Sequence, residues 1–196
     1  MHPAHHSNFR IPTVVAAALV AGLVATATAQ SPPTPVRFTA TATNVDPAVA
    51  LTATTIQITV TRWSTDAEHE QLLNVASGGQ AKLLRLLQGM PRAGTVGTRD
   101  SVGDELRYAR QTPTENGGSR VTLITDRPLS FFEASSRERS ADYPFMVVDL
   151  RLNPKGSGEG TITVATKITA SAKTRHMILE NYGSQPVRLT KVARVD

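Results

Sequence analysis

From Val36 the chain alternates. Val36, Phe38, Ala40 and Ala42 share one parity and Arg37, Thr39, Thr41 and Thr43 the other, the period of two that marks a strand buried on one face. Asn44-Val45-Asp46-Pro47 breaks the pattern. It resumes with Ile56, Ile58 and Val60 set against Gln57, Thr59 and Thr61, and Trp63 closes the second run as a core plug. The period then lengthens. Thr65-Asp66-Ala67-Glu68 is a capping box, in which the threonine and glutamate side chains each accept from the other's free amide at a helix start. His69, Leu72, Leu73 and Ala76 follow at i, i+3, i+4, i+7, a helical stripe. Ser77-Gly78-Gly79-Gln80 reads as a second capping box. It opens a helix with Ala81, Leu83, Leu84 and Leu87 on its apolar face, stopped by Gly89 and Pro91. The expectation is a helical pair over residues 65–89, inserted between strands.

Beyond it the strand period returns. Leu106, Tyr108 and Arg110 alternate with Arg107, Ala109 and Gln111, and Glu115-Asn116-Gly117-Gly118 supplies a hairpin turn. Val121 and Leu123 lead to Asp126-Arg127-Pro128, read as a turn set by its proline, and the run Leu129 to Glu133 is a short strand or bend. A polar loop spans Ala134 to Asp142. Met146, Val148, Leu150 and Leu152 share a face before Asn153 to Gly160 turns the chain. Ile162, Val164 and Ile168 fit the next strand, Met177 and Leu179 another, and Val187 to Val195 the last. Short strands punctuated by turns every eight to twelve residues or so predict a mainly β fold. An antiparallel meander barrel is favoured because closure removes exposed edges, with a β-sandwich as the alternative. The helical pair would plug one end or pack on the outside.

Composition changes the picture at the N-terminus. Ile11 to Ala25 is apolar apart from Thr13, follows a segment whose one charged side chain is Arg10, and leads to Ala27-Thr28-Ala29. This predicts a signal peptide cleaved after residue 29. A membrane anchor would need about 20 apolar residues. Removing 29 residues from 196 leaves 167, ample for one core. A Pro-rich linker over residues 30–35 precedes a single β-rich domain over 36–196. The protein is expected to be secreted or periplasmic, with no membrane span after cleavage. There is no cysteine, which removes disulfide scaffolds, thiol catalysis and thiolate metal sites. Losing Arg10 takes the formal charge from +5 to +4. The arginines are scattered along the strands, so no nucleic-acid partner is expected.

Catalytic patterns fail one by one. His69-Glu70-Gln71-Leu72 is followed by Leu73, whereas a zinc helix needs a second histidine there. His176 lies on a distant strand. No metal or cofactor is expected, and His69 reads as a half-buried member of its stripe. No Gly-x-Ser-x-Gly elbow exists. The glycines of Gly156-Ser157-Gly158-Glu159-Gly160 fit a hairpin turn better than a phosphate cradle, since no helix follows. Adjacent acids such as Asp104 and Glu105 do not make a glycosidase pair. The balance is against an enzyme.

Polar groups on apolar faces carry more information. Arg110 shares parity with Leu106 and Tyr108, and Glu180 and His176 share parity with Ile178 and Tyr182. Facing inward, such charges must pair with each other or meet a ligand. Structural pairing, or a solvent-facing strand, is the competing account.

Arg62 to Glu68, Glu105 to Pro113, Thr125 to Pro128, Asp142 to Phe145 and Leu179 to Val192, taken in order, resemble a family of uncharacterised secreted bacterial proteins. The resemblance covers most of the chain after the leader and brings no activity, cofactor or catalytic residue. Its motifs place Arg, Tyr, Asp and Pro at strand ends. The strand faces and these motifs together single out Arg107, Tyr108, Arg110, Asp126, Arg127, Asp142, Tyr143, Glu180 and Tyr182 as a polar cluster, for a ligand or for structural pairing. The expected function is a non-enzymatic barrel binding a small, apolar ligand. The alternative is an interaction module docking on another envelope protein. Behind both stands a carboxylate-based enzyme using Arg107, Arg110, Asp126, Asp142 and Glu180.

Overall fold

The computed structural model describes residues 33–43, 53–127, 144–171, 173–181 and 186–195. The expected leader, the Asn44 to Pro47 break and the Leu129 to Glu133 run lie outside them. In chain order the elements are β1 (Val36–Thr43), β2 (Thr54–Val60), α1 (Asp66–Ala76), α2 (Gln80–Gly89), β3 (Gly94–Thr98) and β4 (Asp104–Pro113). They continue as β5 (Ser119–Thr125), β6 (Phe145–Leu152), β7 (Ser157–Ala170), β8 (Met177–Asn181) and β9 (Val187–Val195). Strands β1 to β7 pair antiparallel in sequence order, β7 pairs β9, and β9 returns to β1. The result is a closed eight-stranded antiparallel barrel carrying two helices, with β8 outside the ring. Among the described residues, no helix is long and apolar enough to cross a membrane.

Alternation builds the interior. Val36, Phe38, Ala40 and Ala42 are all buried and meet Ile56, Ile58 and Val60 from β2. Val148 and Leu150 from β6 and Leu189 from β9 join the same cluster, and Trp63 packs against it from one end. Each such aliphatic side chain contributes about 1.5–3 kcal/mol by leaving water.

The helices pack on the outside. Leu72, Leu83 and Leu87 form a second cluster with Tyr108, Ile124, Phe145, Val147 and Ile168, on the outer face of β4 to β7. Strands β5 and β6 are therefore buried on both faces. This explains their near-continuous apolar runs, Val121 to Ile124 and Phe145 to Val148.

The first capping box forms as expected. Thr65 Oγ1 accepts from the Glu68 amide at 3.1 Å and Glu68 Oε2 accepts from the Thr65 amide at 2.8 Å. Arg62 Nη1 donates to the same Glu68 oxygen at 2.8 Å, and this bond is the main reason the Glu68 carboxyl is held below the ordinary carboxylate range. Arg62 Nη2 also donates to the Pro91 carbonyl, tying the entry of α1 to the exit of α2.

The second capping box does not form. The N-cap of α2 is Gly79, at φ 104°, and no side chain caps it. The Gln80 amide works elsewhere: Nε2 donates to the Ile168 carbonyl at 2.9 Å and Oε1 accepts from the Ile168 amide at 2.8 Å. Pairing with β6 ends at Phe145–Thr166, so on the stretch of β7 beyond it a side-chain amide substitutes for a strand. Gln80 is buried for this reason, whereas Ala81, expected on the apolar face, is exposed.

One strand was not expected at all, and one expected turn is corrected. Strand β3 has a single large apolar residue, Val96, so no alternation announces it. Its Gly97 is required, because a Cβ there would stand 2.5 Å from Ser101 Oγ and 2.7 Å from Gly103 Cα. The turn expected over Asn153 to Gly160 ends early, since β7 already begins at Ser157. Gly158 is a close-approach residue within that strand, where a Cβ would overlap the Arg151 carbonyl of β6.

Replacing Gln80 by leucine keeps volume but leaves the buried Ile168 N–H and C=O without partners. Gln80→Leu is expected to cost about 2–4 kcal/mol, read as a lower urea midpoint with an unchanged slope. An unaltered midpoint would show that the amide bridge carries no stability.

Candidate functional site

A bulge in β4 decides where the expected polar cluster goes. Leu106 pairs with Thr125 and Tyr108 with Ile124, so Arg107 is an extra residue on its strand. One inserted residue reverses the parity of everything after it. Leu106 and Ala109 accordingly belong to the barrel interior, while Tyr108 belongs to the helix-covered outer cluster. Arg110 shares the face of Tyr108 but not that of Leu106, and its guanidinium does not enter the barrel. Its Nη1 lies 2.9 Å from Asp66 Oδ1, at the exposed start of α1.

Under α1 the Tyr108 hydroxyl and His69 Nδ1 are 2.7 Å apart, and the ring of Tyr108 is fully buried. Burial pushes the phenol above its ordinary range. It also lowers the His69 pKa, helped by the positive charge of Arg110, opposed by Asp66, and lowered further by Arg175 and His176. Arg175 pairs with Glu70 and donates from Nη1 to Asn74 Oδ1 at 3.3 Å. The turn between β7 and β8 is thus fastened to α1, and it brings His176 near His69. A phenol shifted upward and an imidazole shifted downward hold their protons in neutral forms at pH 7, which suits packing. Among the described residues, no group of three His, Cys, Asp or Glu side chains is placed to hold a metal ion.

The remaining candidates separate into two further places. Arg107 reaches Asp126 at 3.1 Å and Glu105 at 2.8 Å, Arg92 lies 3.8 Å from Glu105, and Arg127 lies 3.6 Å from Asp104. Opposite charges alternate through this patch, from Arg92 before β3 across β4 to Asp126 and Arg127 after β5, the arrangement of structural pairing. Glu180 stands on the solvent face of β8 beside the exposed Ile178, 3.6 Å from Lys167 of β7. The inward placement considered for Glu180 and His176 is therefore wrong. The β8 residues that face the helices are Met177 and Leu179. Asp142, Tyr143 and Tyr182 lie outside the described residues. Those candidates that are described do not converge on one site.

A concave site occurs at the end of the barrel where β1 begins and β9 ends. An open cleft of about 330 Å³ lies between the β4–β5 and β6–β7 hairpins. Its floor is Phe38 and Leu152, both members of the interior cluster. Gln111, Gly117, Gly118 and Ser119 line one wall, residues 153–156 the other, and Arg194 the third. Both turns are internally braced. Asn153 Oδ1 accepts from the Lys155 and Ser157 amides at 2.9 and 3.2 Å, and the Thr114 amide donates to the Gly118 carbonyl at 3.0 Å. Gly117 and Gly156, at φ 76° and 77°, supply the left-handed corners. The Arg194 amide donates to the Gly156 carbonyl at 2.9 Å, fixing the end of β9 to the turn.

None of these lining residues was singled out in sequence, where both segments registered only as turns. The signal that could have found them is topological: in a meander, alternate hairpins land at the same barrel end. Among the described residues, the lining contains no carboxylate and no imidazole. Comparison with protein-family models, with curated proteins and with solved structures finds no match.

Because the folded-state pKa of His69 is depressed below 6.5, the unfolded chain takes up that proton more readily. The stabilisation is complete above the unfolded pKa and is lost as pH falls through the folded one. The stability difference between the wild type and His69→Leu should therefore shrink from pH 7 to pH 5, measured by urea unfolding. A difference independent of pH would remove His69 as the titrating group.

Proposed function

We propose that this is a secreted or periplasmic, non-enzymatic binding barrel whose small ligand sits in the hairpin cleft at the barrel end. The observation that carries this reading is the contrast between a barrel interior occupied by its own packed side chains and a cleft of about 330 Å³ open beside it. That volume falls at the lower end of small-molecule sites, roughly 300–1,000 Å³. The apolar floor of Phe38 and Leu152 supports an apolar portion of the ligand, and the polar walls give it an orientation. An interior apolar ligand, the expectation from sequence, would have to displace core side chains. Described lining residues that include no carboxylate or imidazole support binding over acid–base chemistry. The apolar leader supports export.

A probe of about 20 heavy atoms gaining about 0.3 kcal/mol per atom would bind with about 6 kcal/mol, in the tens of micromolar. Fluorescence titration with N-phenyl-1-naphthylamine and with 8-anilinonaphthalene-1-sulfonate should show saturable one-to-one binding of at least one. Gln111→Trp, which fills the cleft, should abolish it while leaving the thermal midpoint within a few degrees. The reading fails if neither probe saturates, or if a folded Gln111→Trp protein binds as before.

A further inference from the structure

We propose that the His69–Tyr108 contact is an acid-sensitive latch: when the imidazole is protonated, the α1–α2 pair comes away from the outer face of β4 to β7 while the barrel stays closed. The proton inventory of the contact carries this. The Tyr108 hydroxyl and His69 Nδ1 are 2.7 Å apart, and Tyr108 is fully buried. At that distance one proton lies between the two atoms. A neutral imidazole with its proton on Nε2 leaves Nδ1 as an acceptor, so the phenol donates and is satisfied. An imidazolium carries a proton on each nitrogen. Nδ1 then donates to the phenol oxygen, and the phenol's own proton turns into the apolar cluster of Leu72, Ile124 and Phe145, where an unmatched donor is costly.

The charges around the ring act in the same direction. Strand β4 contributes Arg110, and the turn between β7 and β8 contributes Arg175 and His176. On α1 itself, Asp66 pairs with Arg110 at 2.9 Å, Glu68 with Arg62 at 2.8 Å, and Glu70 with Arg175. Burial of the ring and the charge of Arg110 hold the His69 pKa below 6.5 against Asp66, and Arg175 and His176 add to the depression. The released helix takes up the proton at the ordinary histidine pKa and the docked helix only below it. Docking is therefore fully favoured above the ordinary value and weakens as pH falls through the docked one, by at most about 10-fold per pH unit. Ordinary carboxylates stay ionised through that window, so the ion pairs persist while the imidazoles titrate.

The barrel does not depend on the latch. Its interior cluster is separate from the cluster under the helices, and its ladder returns from β9 to β1 without them. The Ser64 amide donates to the Ala109 carbonyl at 2.7 Å just before α1, and Gln80 brackets Ile168 where α2 begins. His69 stands between these two fastenings, and of the three contacts it is the one that titrates near neutral pH. Release uncovers Tyr108, Ile124, Phe145, Val147 and Ile168, an apolar face that the helices cover at neutral pH.

Amide hydrogen exchange of the full chain, corrected for the intrinsic pH dependence of exchange, reads helix opening and barrel opening separately. The protection of α1 and α2 is expected to fall about 10-fold from pH 7 to pH 5, and to lie below that of β1 and β2 at both. His69→Asn offers the phenol an amide oxygen in place of Nδ1 and cannot titrate, so its helix protection should be the same at both pH values. In the wild type, the His69 ring signal in a proton NMR titration should share its midpoint with the loss of helix protection, a readout that needs no variant. Helices as protected as β1 and β2 at both pH values would show that they open only with the barrel, and would overturn local release. Helix protection independent of pH would overturn the latch. A loss that persists in folded His69→Asn, or a ring midpoint apart from it, would assign the proton to another group and refute the role of His69.

Discussion

A strand has two edges, and the architecture follows from how those of β7 are shared. Along one, β6 pairs from Gly158 to Thr166 and stops. Along the other, β9 takes Ser157 to Ile162 and β8 takes Thr166 to Ala170. The N-terminal half thereby closes the barrel, because β9 carries the ladder back to β1, and the C-terminal half leaves it. What leaves must be covered, since unpaired strand edges and apolar faces are costly in water. The helices meet that need. Leu72, Leu83 and Leu87 cover Ile168 and Phe145, and Gln80 supplies Ile168 with the hydrogen bonds that β6 no longer reaches.

The same departure creates two cores from one sheet. Bulges at Arg107 in β4 and between Thr163 and Thr166 in β7 reverse which side of each strand faces in. Ile162 lies in the barrel and Ile168 under the helices, although they share parity in sequence. Leu106 and Tyr108 are divided in the same way. Strong local twist and a change of face are what bulges provide. Here they let one sheet seal itself below and receive a helical pair above.

Polar residues are distributed according to that division. Where the sheet meets the helices, the buried Tyr108 hydroxyl and the half-buried His69 are partners, with Arg110 and Asp66 at the edge of the seam. Beside β4, Arg107 pairs with Asp126 and Glu105, and the buried Asp104 pairs with Arg127. The more exposed of these pairs contribute little stability individually. The concavity lies at the end where two braced hairpins rise beside the barrel floor.

Local pattern alone established a good deal: the alternation of β1 and β2, the Thr65 capping box, the helical pair over residues 65–89, and the mainly β barrel. These depend on neighbours within about eight residues, so a single chain displays them. Strand β3 was hidden because Gly94 and Gly97 are chosen for close backbone approach, which leaves Val96 as the lone apolar marker. The faces of Arg110 and Ile168 were hidden because a bulge is a mismatch between two strands and has no signature in either one. Gln80 could be read as a cap or as a partner for a distant strand, and only the end of β6 chose between them. The cleft was hidden most completely. Phe38, Lys155 and Arg194 lie far apart along the chain, and each looks ordinary in its own segment. What makes them neighbours is the closure of the sheet, a long-range pairing that local periodicity does not encode.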